Sequence, residues 1–174
     1  GVASVSNLAS NYLDIWDNSI LAKSNTPLEN ILDTLSAKCL YKPETPFKIT
    51  GKIIVAAMQP DSTKTVIEAG DIALCGDRED SQCLIISSKA SLIIITGNHT
   101  PTEEVLELAK TNGCTVILTP YDTFTASRLI TQSIPIDYVM TRKNLVTFNT
   151  DDFIDEIKYT MLETRYRSYP VLDE

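Results

Sequence analysis

The stretch from Gly51 to Gln132 decides the fold. It contains four short apolar runs, IIVAAM at 53–58, IALC at 72–75, LIIIT at 92–96 and VIL at 116–118, each bounded by turn-forming residues. Continuous apolar runs of this length are typical of strands that are buried on both faces of a sheet. Four strand–helix units predict an α/β fold, a small and mostly parallel sheet with flanking helices. The predicted helices are Thr63–Ala69, Asp80–Ser88, Pro101–Asn112 and Asp122–Gln132.

Composition limits the class of protein. With 174 residues the chain can form one domain, or one small domain with two partial neighbours. The net charge of −8 argues against a nucleic-acid partner, because non-specific nucleic-acid binding needs a basic face. We find no signal peptide and no apolar run long enough to cross a bilayer, so we predict no membrane partner. The four cysteines lack metal-ligand spacing, which favours a reduced, cytoplasmic protein.

The segments before the sheet carry helix signals. Gly1–Val5 is predicted to be a short strand and Ser6–Trp16 an amphipathic helix. A second helix is expected from Pro27 to about Lys38, with Thr26 as its N-cap and Pro27 at its first position, and a linker at 41–47 follows it.

The segments after the sheet form a second flank. Leu145–Phe148 is predicted to be extended, and the acidic residues that follow Thr150 predict the start of a helix. That helix is expected to present Phe153, Ile154, Ile157 and Met161 to a core. The sequence begins directly with a predicted strand and ends with a predicted strand that has no following partner, so we expect it to be part of a longer polypeptide.

The loops that follow the predicted strands are acidic. In an open parallel sheet, ligands bind outside the carboxyl ends of the strands, near the helix N-termini. A phosphate site there needs glycines and free backbone amides, but these loops place carboxylates beside the helix starts. We therefore predict helix capping and no nucleotide site at this edge of the sheet. The predicted caps are Asp77 with Asp80, Thr100 with Glu103 and Glu104, and Asp122.

His99 is the single histidine of the sequence. A catalytic or metal-binding role for it would need a second histidine or a thiol nearby in the sequence, and there is none. The cluster at Asp77, Glu79 and Asp80 has the composition of a cation site, but capping explains it more simply. We predict no catalytic residue and no metal ligand in this chain.

Two groups of polar residues in the flanks could bind an anion. In the first, Ser4 and Asn7 stand where a strand passes into a helix, and their side chains suit a phosphate and a ribose. In the second, arginines suit phosphates and tyrosines stack on bases. The alternatives are simple helix capping for the first group and a solvated helix end for the second. The second group comprises Thr141, Arg142, Lys143, Arg165, Arg167, Ser168 and Tyr169.

These motifs together resemble those of a known family. Gly1–Asn7 resembles the closing strand and helix of a cystathionine-β-synthase (CBS) domain, with the pattern G-h-h-T/S-x-x-D, and Val139–Glu174 resembles the opening of a second one. The middle of the chain is similar to a DRTGG domain: Gly76-Asp77-Arg78 matches the first part of its naming motif, and Leu92–Gly97 and Tyr121–Phe124 match later signatures. The order CBS–DRTGG–CBS resembles the regulatory region of CBS-containing family II inorganic pyrophosphatases. The predicted boundaries are 1–40 for the end of the first CBS domain and its connecting helix, 48–133 for the DRTGG-like domain and 137–174 for the second CBS domain.

The resemblance implies a homodimeric adenine-nucleotide sensor. Members of that family are inhibited by AMP or ADP and activated by ATP or diadenosine polyphosphates, and their catalytic domains, with manganese or cobalt, would lie outside this chain. By the same resemblance, Ser4 meets phosphate, Asn7 meets ribose, and Arg167 and Tyr169 face phosphate and adenine. Asn7 stands where the family has Asp, and residues 79–81 replace Thr-Gly-Gly. Two other functions remain as alternatives: a dimerisation scaffold without a ligand, and an enzyme that acts through His99 and the acidic loops.

Overall fold

The chain folds into an α/β unit followed by a small β-α-β unit. The computed structural model describes residues 17–140 and 145–173. In chain order the elements are α1 (Ile20–Lys23), α2 (Leu28–Thr34), β1 (Lys38–Tyr41), β2 (Ile53–Val55), α3 (Pro60–Lys64), β3 (Ile72–Cys75), α4 (Glu79–Ser87), β4 (Leu92–Ile95), α5 (Glu103–Asn112), β5 (Thr115–Leu118), α6 (Thr123–Leu129), a 3-10 turn (Ile130–Ser133), α7 (Ile136–Val139), β6 (Phe148–Asn149), α8 (Ile154–Thr164) and β7 (Val171–Leu172).

The larger unit is built on a five-stranded sheet in the order β1-β5-β4-β3-β2. Strands β2 to β5 are parallel and in register, so that Ile72 of β3 lies opposite Leu92 of β4. The predicted α/β class with a mostly parallel sheet is confirmed, and all four predicted apolar runs contain a strand.

Alternate residues of the central strands face two separate cores. Ile72 and Leu74 point to one side, where they pack with residues of α1, α2 and α6. Ala73 and Cys75 point to the other side, where α4 and α5 cover them. Every residue of β3, β4 and β5 is buried, which is why these strands read as unbroken apolar runs.

Strand β1 was not predicted. Lys38–Tyr41 pairs antiparallel with β5 at the edge of the sheet, whereas the sequence indicated the end of a helix and the start of a linker there. Helix α2 is correspondingly shorter than predicted and ends at Thr34. The predicted cap is also wrong, because Pro27 itself occupies the N-cap and the hydroxyl of Thr26 bonds that of Ser24.

The helix predicted at Thr63–Ala69 is wrong in position. The structure has α3 at Pro60–Lys64, and the chain then turns towards Gly70, which has a φ of +88°. Proline is favoured in the first turn of a helix, and the β-branched run Thr65–Ile67 favours an early end.

A buried carboxylate fixes the turn that leads into β3. Asp71 is 1% exposed, and its two oxygens accept hydrogen bonds from the backbone N–H groups of Lys52 and Glu68, both at 2.8 Å. Gly51 is packed against it so closely that a Cβ there would lie 2.2 Å from Asp71 Oδ1. Asp71 therefore ties the entries of β2 and β3 together.

The smaller unit consists of β6, α8 and β7. Strands β6 and β7 are parallel, with Phe148 opposite Val171. The expectation that α8 presents an apolar face to a core is wrong for the described residues: Phe153 is 75% exposed and Ile154 is 68% exposed. The physical reason is that the two strands, each of two residues, are too short to cover the helix.

Candidate functional site

The loop between α8 and β7 brings together four of the predicted binding residues. It runs from Arg165 to Tyr169, and the side chains of Arg165, Arg167 and Ser168 are exposed. Arg165 ends the helix in the left-handed conformation, with a φ of 52°, which costs roughly 1–3 kcal/mol for a residue other than glycine. Such a conformation persists only where the surrounding structure holds it.

Tyr169 supplies the contacts that hold this loop. Its hydroxyl lies 2.6 Å from Thr164 Oγ1 and accepts a hydrogen bond from the backbone N–H of Tyr166 at 3.0 Å. Thr164 Oγ1 donates its own proton to the carbonyl of Thr160 at 2.7 Å. Because a hydroxyl has one proton, Thr164 can only accept from Tyr169, and the Tyr169 hydroxyl is thus both a donor and an acceptor within the protein.

An aromatic cluster surrounds the same side chain. The ring centroid of Tyr169 lies 5.1 Å from that of Phe148 and 5.8 Å from that of Tyr166, both in tilted arrangements. Phe148 is buried, whereas Tyr166 is 56% exposed. Tyr166 therefore has the freer ring of the two tyrosines, although the sequence analysis did not include it among the binding residues.

The arginines of the loop differ from the other arginines that the structure describes. Arg78 forms an ion pair with Asp80 at 2.9 Å, and Arg128 lies over the ring of Phe124. Neither Arg165 nor Arg167 has an acidic partner among residues 17–140 and 145–173. In a chain of net charge −8 this makes the loop a locally cationic surface.

The remaining predicted binding residues lie outside the described part of the chain. These are Ser4 and Asn7 in the first flank and Thr141, Arg142 and Lys143 in the second. Among the described residues, 145–147 precede β6 and the loop 165–169 precedes β7. Because β6 and β7 are parallel neighbours, these two described segments lie at the same end of the small sheet.

Side chains cap two of the helices that begin at the carboxyl edge of the large sheet, α5 and α6, and the predicted cap is correct for Asp122. Asp122 caps α6: its Oδ1 accepts from Thr125 N at 2.9 Å and its Oδ2 from the Thr125 hydroxyl at 2.7 Å. These hydrogen bonds hold the pKa of the Asp122 carboxyl below its usual value. Thr102 caps α5 through Val105 N, so the prediction of Thr100 as the capping residue is wrong.

The cap predicted for α4 is also wrong. The N-cap position is Arg78, which makes no side-chain cap hydrogen bond. Asp80 instead pairs with the Arg78 guanidinium, and this partner lowers the pKa of the Asp80 carboxyl. Asp80 of the acidic cluster and Arg78 of the Gly76-Asp77-Arg78 motif thus neutralise each other's charge.

A cleft of about 230 Å³ lies beside this motif, at the ends of β2 and β3. Cys75 lines it, but burial raises the pKa of that thiol to about 12, which leaves it protonated and unreactive near neutral pH. His99 is exposed in the next loop. The cleft is lined by Ala56, Ala57, Cys75, Gly76, Asp77, Arg78, Ser81 and Thr123.

The described residues contain no group of three or more His, Cys, Asp or Glu side chains that could hold a metal ion. All four cysteines are free thiols. In the part of the chain that the structure describes, none of the helices has the length and apolar character needed to span a membrane.

Comparisons with known proteins agree with this architecture. A family profile described as "DRTGG domain" matches residues 30–133. Over its whole length the chain is 56% identical to the cobalt-dependent inorganic pyrophosphatase of Clostridium perfringens and 30% identical to a probable manganese-dependent inorganic pyrophosphatase of Thermotoga maritima. In each case it covers 32% of the relative, so the chain spans about a third of the length of these proteins.

A solved structure is similar in both sequence and shape. It contains the CBS and DRTGG domains of the regulatory region of the Clostridium perfringens pyrophosphatase in complex with the activator diadenosine tetraphosphate. Our chain is 57% identical to it with a TM-score of 0.88, and the match covers 98% of our chain and 74% of that one. The predicted resemblance to a CBS–DRTGG–CBS regulatory region is confirmed.

Proposed function

This chain belongs to the DRTGG domain family, and from that premise we propose that it is a regulatory module that binds adenine nucleotides and controls a cytoplasmic inorganic pyrophosphatase. Within this proposal AMP or ADP inhibits, and ATP or a diadenosine polyphosphate activates. The module works as a homodimer, and the catalytic domains, with manganese or cobalt, belong to the same polypeptide.

One observation carries the proposal: the loop from Arg165 to Tyr169 presents two exposed guanidinium groups that lack an acidic partner among the described residues. Guanidinium groups bind phosphate oxygens through paired, charge-assisted hydrogen bonds. The exposed ring of Tyr166 offers a surface on which a base can stack. The loop therefore offers guanidinium groups for the phosphates of an adenine nucleotide and an aromatic ring for its base.

The sheet supports the same assignment by contrast. One N-terminal amide of α5 is capped by Thr102 and one of α6 by Asp122. At the start of α4, Asp80 forms an ion pair with Arg78. A phosphate at this edge would therefore lie beside the carboxylates of Asp80 and Asp122. We therefore place the nucleotide at the flanking units, with Ser4, Asn7, Thr141, Arg142 and Lys143 as further binding residues.

Calorimetric titration with diadenosine tetraphosphate and with AMP tests the proposal. The titrations use this chain and a longer version that extends it at both ends to the length of the relative's regulatory region. We expect binding to the longer protein, and Arg167→Ala to weaken it at least tenfold, since a hydrogen bond to a charged group contributes about 1.5–3 kcal/mol. Arg128→Ala is the matched control and should bind normally, because Arg128 lies on α6 against Phe124. Equal affinities of the Arg167→Ala and wild-type proteins would contradict the assignment.

A second function, a dimerisation scaffold, is favoured by one feature of the large sheet. Edge strand β2 and the segment after it expose apolar side chains, with Val55 41%, Met58 41% and Val66 39% exposed. Sedimentation of the chain without nucleotide distinguishes the two functions when it is read with the titration. A stable dimer that binds neither ligand in the longer protein would support the scaffold alone.

A further inference from the structure

We infer that Tyr169 serves the nucleotide site as a positioning residue: through Thr164 and the amide of Tyr166 it fixes the loop that carries Arg165 and Arg167, and its hydroxyl makes no contact with the ligand. This inference rests on the proposed function. It gives Tyr169 a different role from the direct contact with adenine that the family resemblance implies.

The hydrogen-bonding capacity of the hydroxyl is the first argument. Its proton goes to Thr164 Oγ1 at 2.6 Å, because the proton of Thr164 is already donated to the Thr160 carbonyl. Its oxygen accepts from Tyr166 N at 3.0 Å. To donate to a ligand phosphate, Tyr169 would have to give up the contact with Thr164.

The packing of the ring is the second argument. Tyr169 contacts Phe148 on β6 and Tyr166 in the loop, with centroid distances of 5.1 and 5.8 Å. The side chain thereby joins the first strand of the small unit to the loop that precedes the second strand. Its polar tip and its ring therefore both serve internal contacts.

The backbone of the loop is the third argument. Arg165 has a left-handed φ of 52°, a conformation that needs support from its surroundings. The support comes one residue later, where the amide of Tyr166 is bound by the Tyr169 hydroxyl. Without that acceptor the turn that presents Arg165 and Arg167 would sample other conformations, and the ligand would have to order it on binding.

The test is a double-mutant cycle of Tyr169→Phe and Thr164→Val in the longer version of the protein. Each substitution removes one hydroxyl and keeps the shape of the side chain. Thr111→Val is the matched control, because Thr111 donates to the Glu107 carbonyl just as Thr164 does to Thr160, but near the end of α5 and away from the loop. Thr164→Ser should restore wild-type behaviour, since it returns the hydroxyl. Unchanged thermal unfolding midpoints confirm that the variants fold.

Two readouts are needed. By nuclear magnetic resonance, the amide proton of Tyr166 should exchange with solvent at least tenfold faster in Tyr169→Phe. The affinity for diadenosine tetraphosphate should fall at least threefold in both single variants, and the double variant should lose no more than Tyr169→Phe alone. Such non-additivity is the signature of two groups that act as one unit.

Three outcomes would overturn the inference. The first is a loss of affinity in Tyr169→Phe that Thr164→Val does not reproduce, which would show direct contact with the ligand. The second is wild-type affinity in both variants. The third is an unchanged exchange rate of the Tyr166 amide. If the wild-type protein binds no nucleotide at all, the proposed function fails and the ligand-binding role fails with it, while the exchange rate still decides whether Tyr169 orders the loop.

Discussion

Replacing Asp71 by alanine should destabilise the five-stranded sheet substantially. The carboxylate is 1% exposed and accepts two backbone hydrogen bonds, from Lys52 N and Glu68 N, each at 2.8 Å. Bonds to a charged group contribute about 1.5–3 kcal/mol each, so two of them give about 3–6 kcal/mol. The cost of burying the charge offsets part of this sum, and we expect a net loss of about 3 kcal/mol, a large fraction of the 5–15 kcal/mol that stabilises a typical domain.

Urea unfolding followed by circular dichroism measures this loss. Asp71→Asn should lose about half as much, because the amide oxygen can still accept from one of the two N–H groups while its NH₂ faces the other. Asp33→Ala is the control, since Asp33 is exposed near the C-terminal end of α2 and should change stability by less than about 0.5 kcal/mol. If Asp71→Ala changed the free energy of unfolding no more than Asp33→Ala does, the carboxylate would not be the tie between β2 and β3.

Three further predictions concern the larger unit. Gly51→Ala should lower the free energy of unfolding by about 2 kcal/mol or more, because the new Cβ would lie 2.2 Å from Asp71 Oδ1 and 2.7 Å from the Asp71 backbone nitrogen. Gly76→Ala is the control and should be nearly neutral, since a Cβ there would meet no atom within 4 Å. Similar urea midpoints for the two variants would contradict the packing at Gly51. Asp122→Ala should lower the free energy of unfolding, because it removes the N-cap of α6. Because the folded pKa of Asp122 is depressed, this contribution is complete above the usual pKa of 3.8 and disappears as the pH falls below it. Asp122→Asn keeps a capping oxygen, so in acid titrations its unfolding should depend less on pH than that of the wild type. In timed alkylation at about pH 8, Cys75 and Cys114 should react far more slowly than the half-buried Cys39, because burial raises the pKa of both buried thiols to about 12; equal rates measured by mass spectrometry would contradict this burial.

The sequence predicts the centre of the fold better than its edges. The runs in β3, β4 and β5 are unambiguous because both faces of these strands are buried, so every residue carries the signal. Strand β1 contains Lys38 and is only partly buried along its length, so its sequence shows neither the two-residue apolar repeat of a half-buried strand nor a continuous apolar run. The helix signals that precede it therefore dominated the prediction. Its pairing with β5 is a long-range contact that no local pattern reveals.

The candidate site was predictable in its charges and not in its hydrogen bonds. Arg165 and Arg167 stand out in an acidic chain, and their exposure in one loop agrees with that signal. Tyr166 and Thr164 gave no comparable signal. Their importance depends on how the chain folds back after α8, which places the Tyr169 hydroxyl between them.

The antiparallel strand β1 has a practical consequence for anyone who wishes to isolate the α/β unit. A protein truncated to begin at residue 48, the boundary that we predicted, would lack both β1 and α2. The backbone of β5 would then be left as an open edge, a known template for aggregation, and the buried hydroxyl of Thr119 would lose the Leu35 carbonyl that it binds at 2.6 Å. Soluble production of the isolated unit should therefore require a start at or before Ile20, so that the strand and both short helices accompany the sheet.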